Sequence, residues 1–73
     1  MGHPTRLEAF MNSRGIRPMA LARASGYSRQ YLLRVRKGRA EPSRLVIAAI
    51  VDACRKLSHE PVKAADLFDL GGD

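Results

Sequence analysis

The chain has 73 residues, with thirteen Lys and Arg against seven Asp and Glu, a net charge of +6, and one cysteine, Cys54. That length has room for one domain, residues 1–73, whose small core is marginal unless a partner or a second copy supports it. A lone cysteine excludes a disulfide framework and points to a reducing compartment. The longest apolar run, Leu45 to Val51, is far short of the ~18 residues that span a bilayer. The expectation is therefore a soluble cytoplasmic protein with no membrane partner.

Taken in order, the chain predicts five helices and no strand. Thr5 followed by Glu8 fits a capping box, and Leu7, Phe10 and Met11 recur at helical spacing, so a first helix is expected over 5–14, ended by Asn12, Ser13 and Gly15. Pro18 suits the first position of a second helix, 18–25. Leu21, Ala22 and Ser25 fall on one face of it, and Gly26 stands where a left-handed cap would close it. Ser28 is the expected cap of a third helix, 28–37. Tyr31, Leu32 and Val35 form its inward stripe, while Arg29, Gln30, Leu33, Arg34 and Lys37 lie on the opposite side. Gly38 ends it, and Arg39 to Pro42 is a loop.

Ser43 then caps a fourth helix, 43–57, which is apolar nearly all round in its first half. A helix of that kind is either central in the core or turned toward a second subunit. Ser58 to Pro61 breaks the chain. A fifth helix is expected over 62–69, anchored by Ala65, Leu67 and Phe68, with a tail from Leu70 onward.

The charge is unevenly placed. Residues 1–44 hold ten basic and two acidic side chains, and residues 45–73 hold three basic and five acidic. A basic half on so small a body suits a polyanion, and most of the basic residues are arginines, whose fork matches phosphate oxygens and guanine edges. No serine sits in a nucleophile motif, the acidic residues do not pair, and His3, His59 and Cys54 lack metal-ligand spacing. The sequence implies neither an enzyme, nor a metal, nor a cofactor.

Two short helices with a small residue inside the first (Ala22), glycine four positions later (Gly26) and apolar residues that lock the second down (Tyr27, Leu32, Val35) meet the demands of a helix-turn-helix. The pattern Leu21-Ala22-x-x-x-Gly26-Tyr27-Ser28, then Leu32 and Val35, Gly38-Arg39, Pro42-Ser43, and Ile47, Ile50, Val51 and Cys54, resembles the lambda-repressor-like, or Xre-type, DNA-binding domains. Ala65-Asp66-Leu67-Phe68 looks like that family's closing helix, so the resemblance spans about residues 5–70.

The resemblance implies an all-α, five-helix domain that reads double-stranded DNA with its third helix. Arg29, Gln30, Leu33 and Arg34 match the base-reading positions. Arg17, Ser28, Tyr31, Lys37, Arg39 and Arg44 match phosphate contacts, with Arg14 beside them. This chain departs from the family in three places. Arg17-Pro18 stands where a hydroxyl cap and a glutamine are common, Arg36 replaces a frequent glutamate and adds positive charge, and the Ser58–Val62 linker is longer.

The expected function is a small bacterial or phage repressor bound to DNA as a homodimer. Its interface is expected among Leu45, Ala48, Ala49, Leu67, Phe68 and Leu70. The alternative is a protein-interaction module on the same fold, an antitoxin or a phage accessory factor, whose active surface is the fourth and fifth helices.

Overall fold

Hydroxyl side chains and one proline set where four of the helices start. The structure, a computed structural model, describes residues 5–68. Helix α1 spans Arg6–Arg14, α2 Pro18–Ser25, α3 Arg29–Arg36, α4 Arg44–Ser58 and α5 Ala64–Leu67. The hydroxyl of Thr5 accepts from the Glu8 amide (3.1 Å), that of Ser28 from Tyr31 (3.1 Å) and that of Ser43 from Val46 (3.3 Å). Each bond satisfies one of the amides that a first turn leaves without a carbonyl. α2 opens on Pro18, which has no amide to satisfy.

Between α2 and α3 the chain reverses at Gly26, whose φ of 83° is left-handed. A β-carbon there would meet nothing within 4 Å, so backbone torsion, not crowding, is what favours glycine. α4 ends on His59, also left-handed (φ 58°), whose amide donates to the Arg55 carbonyl.

The core forms where α2 packs against both α4 and α3, and α5 against both α4 and α1. Leu7, Met11, Leu21, Leu32, Val35, Val46, Ile50, Val51, Ala53, Cys54, Val62 and Leu67 are buried. α4 contributes five of the twelve, with Val46, Ile50, Ala53 and Cys54 at helical spacing on one face. Leu45, at 80% exposure, lies on the opposite face. The inward stripe of α3 is Leu32 and Val35. Tyr31 is half-buried and stands tilted against Tyr27, ring centres 5.8 Å apart.

The structure departs from the sequence reading at the fifth helix, at the first capping box and at Leu67. The fifth helix is one turn, Ala64–Leu67, not 62–69. The Val62 amide turns back to the Glu60 carbonyl (2.8 Å) and the Lys63 amide is capped by Asp66 Oδ2 (2.9 Å), so the helix cannot start before Ala64. Phe68 is already extended, and Asp69 lies outside the described residues.

The capping box is only half made. Thr5 caps α1, but the Glu8 carboxylate crosses to Arg36 Nη2 at 3.0 and 3.3 Å instead of returning to the cap amide. Leu67, expected at a subunit interface, is 1% exposed and belongs to this chain's own core.

Candidate nucleic-acid interface

With Leu32 and Val35 held in the core, the opposite side of α3 is turned out of the protein. Arg29, Gln30, Leu33 and Arg34 are all exposed on it. Arg29 and Leu33 are one turn apart, as are Gln30 and Arg34, so the four form a compact block on the first two turns. Arg17, at the entrance to α2, joins them. Arg17, Met19, Arg29, Gln30 and Leu33 line one depression between the start of α2 and α3. Sequence reasoning had not singled out Met19, which is 48% exposed. Its signal was weak, because a methionine next to a helix-starting proline reads as ordinary packing.

The arginines of this block are available. Among the described residues, Arg17, Arg29, Arg34, Arg39 and Arg44 form no ion pair with a carboxylate. α3 itself carries three arginines and no acidic residue. The block is therefore a cationic surface with one amide and two apolar side chains set into it, presented by a helix narrow enough for a groove about 12 Å wide.

The remaining phosphate candidates are placed less uniformly. Ser28 spends its hydroxyl lone pair on the Tyr31 amide, and the half-buried Tyr31 packs against the core. Lys37 is 55% exposed with its ammonium 3.6 Å from Glu8 Oε2, a loose pairing that leaves it free to swing. Arg39 follows α3, its amide bonded to the Arg34 carbonyl. Arg44, first in α4, lines a different groove with Ile47, Val51, Arg55 and Ala64.

Arg14 is committed elsewhere. It makes a bidentate pair with Glu60 (2.7 and 2.9 Å) and lies 4.3 Å from the Phe10 ring centre. The hydrogen bonds to Arg14 hold the Glu60 carboxyl below its ordinary value. That clamp ties the end of α1 to the loop before α5.

Arg36 corrects another expectation. Expected to add positive charge, it borders the same depression, but its side chain is only 14% exposed and its guanidinium is paired with Glu8, itself 9% exposed at the side chain. The Thr5 hydroxyl donates to the Arg36 carbonyl at 2.6 Å. The start of α1 thus fastens the end of α3 by an ion pair and a hydrogen bond. Residues 28 positions apart offer no sequence pattern that would reveal this, and Glu8 had a ready local explanation as half of a capping box.

Of the expected interface residues, Leu45 is fully presented, Ala49 is half-buried, Phe68 packs partly on the core and Leu70 lies outside the described residues. Cys54 is fully buried, and desolvation pushes its thiol up to about 11. No group of His, Cys, Asp and Glu among the described residues could hold a metal ion, and none of the described helices is long and apolar enough to cross a membrane.

The sequence pattern of one protein family, described as a helix-turn-helix domain, matches residues 5–65. The match covers all five helices except the last residues of α5, and it is consistent with the lambda-repressor-like resemblance. No curated protein and no solved structure matches the chain.

Proposed function

Since the chain belongs to the helix-turn-helix domain family, we propose that it is a sequence-specific DNA-binding transcription regulator, a small repressor that acts by occupying its operator. The observation that carries this reading is the exposed block on α3, with its arginines free of carboxylates among the described residues. In this reading α3 enters the major groove. Arg29 and Arg34 fork to guanine edges, Gln30 bonds adenine, and Leu33 touches a thymine methyl. Each good bidentate pair gives roughly 1–3 kcal/mol of discrimination.

Arg17, Lys37, Arg39 and Arg44 hold phosphates, with Ser28 and Tyr31 at the helix entrance. For four phosphate contacts, a fourfold rise in salt weakens binding by about two orders of magnitude.

The DNA-bound form is a homodimer in a bacterial or phage-infected cytoplasm. The body measures 29 × 25 × 24 Å. Two such bodies side by side have centres about one body width apart, and a dimer whose α3 helices lie toward the outer sides of the pair can span the ~34 Å between half-sites one DNA turn apart. Leu45 is the residue best placed to join them.

Selection of bound duplexes from a random pool tests the reading directly and should return a near-palindromic motif. Arg29→Ala and Arg34→Ala should each weaken that site more than unrelated DNA in an anisotropy titration. Unchanged affinity and unchanged sequence preference in both variants would end the proposal.

A second reading is favoured by Leu45 and by the groove between α4 and Ala64, with Arg44 and Arg55 among its lining residues. On it, the chain is a protein-interaction module such as an antitoxin. A stoichiometric protein partner, together with no retention on heparin, would distinguish it.

A further inference from the structure

The surface proposed to face DNA is not uniformly polar. Met19, from the first turn of α2, and Leu33, from the middle of α3, are 48% and 44% exposed. Both line one depression of about 530 Å³, together with Pro18 and the Arg17, Arg29 and Gln30 side chains. Two large apolar side chains from different helices thus share a notch within an otherwise cationic surface. Neither belongs to the buried core, to which α2 contributes Leu21 and α3 contributes Leu32 and Val35. Scattered apolar residues at a surface need no explanation, but these two line the same depression, and Arg17, Arg29 and Gln30 beside them are suited to base edges and phosphates.

A major groove offers few apolar groups. The C5-methyl of a pyrimidine is the one it presents to a protein side chain. Leu33 lies one turn beyond Arg29 and three residues beyond Gln30, so a methyl lodged beside Leu33 would neighbour the base those residues bond. Met19 walls the notch from α2, and its unbranched thioether adapts to a small group of uncertain angle.

We infer that Met19 and Leu33 form a two-walled notch that reads a pyrimidine C5-methyl group next to a purine bonded by Arg29 or Gln30. This inference rests on the DNA-reading role proposed above. It adds a residue from α2 to the specificity determinants and makes binding sensitive to the methyl itself. Thymine and 5-methylcytosine carry the same group, so either can occupy the notch.

The test uses the full chain and a labelled duplex bearing the site recovered by selection. Replacing thymines by deoxyuridine one at a time removes only a methyl. At one position per half-site this should weaken binding about fourfold, the value of one buried methyl-sized group. Placing a cytosine at that position and then methylating its C5 should recover a similar factor. In the Met19→Ala/Leu33→Ala variant both differences should vanish while salt-dependent binding persists. Both side chains are exposed, so the variant should fold, and a thermal melt checks it.

Uracil tolerated at every thymine, with Arg29 and Arg34 still setting preference, overturns the notch and leaves the DNA-reading role standing. A uracil effect that survives in the double alanine variant also overturns it, because the methyl is then read elsewhere. If no duplex is enriched from the pool, both fall together.

Discussion

Replacing Glu8 by glutamine keeps the shape of the side chain and removes its charge. The Arg36 guanidinium, 14% exposed and bonded to both Glu8 oxygens, then has no carboxylate partner among the described residues. Its Nε is already buried without a partner, so Glu8 accepts all of the charge-assisted bonds that this side chain makes among the described residues. Breaking a buried pair from one side costs ~3–5 kcal/mol. Two features reduce that here: a glutamine oxygen can still accept one bond, and Arg36 keeps some contact with water. The expected loss is about 2–3 kcal/mol.

A domain of this size has roughly 4–11 kcal/mol of total stability, at ~0.05–0.15 kcal/mol per residue. At about 4–8 °C per kcal/mol, the melting temperature should fall by roughly 10–20 °C. Far-UV circular dichroism during heating measures it. Glu8→Met/Arg36→Met, which removes both charges and keeps apolar volume, should regain most of the loss. A shift below about 3 °C for Glu8→Gln, or a double variant as unstable as the two singles added together, would refute the assignment of this energy to the pair.

Two other outcomes are expected. Leu45→Glu should leave the melting temperature within a few degrees, because the side chain is 80% exposed. In sedimentation it should shift any dimer toward monomer, and an unchanged mass would remove Leu45 from the interface. Cys54 should resist alkylation in the folded protein and react freely once denatured. Burial raises its thiol from an ordinary 9.0 to about 11, so the unfolded chain loses this proton at lower pH than the folded one. The corresponding stability is complete below about pH 9 and lost between about pH 9 and 11, which denaturant titrations of wild type and Cys54→Ala across that range will show.

Much of this fold was legible because its signals are local. Ser28 and Ser43 cap helices whose amides lie three residues away, Pro18 opens a helix by lacking an amide, and Gly26 relieves a torsion of its own backbone. Each acts within one turn, so chain order carries the information. The outward block of Arg29, Gln30, Leu33 and Arg34 was legible for the same reason: with Leu32 and Val35 inward, a period of 3.6 puts the others outside. The fifth helix was misjudged because apolar anchors were read as helix formers. Val62 is buried without being helical, and the turn at Glu60 and the cap at Lys63 outweigh periodicity over so short a segment.

By itself the sequence determined the first four helices, the helix-turn-helix and the cationic face of α3, since caps, torsions and periodicity operate between near neighbours. Only the tertiary structure decided how that face is held and what it contains. Glu8 meets Arg36 across 28 residues, and Arg14 meets Glu60 across 46. Met19 and Leu33 line one depression because α2 packs against α3, and Leu67 is buried in this chain's own core. Those outcomes depend on which surfaces the helices bury against one another. Chain order alone does not specify that, because ion pairing and apolar burial act through space between groups that any loop long enough to close can bring together.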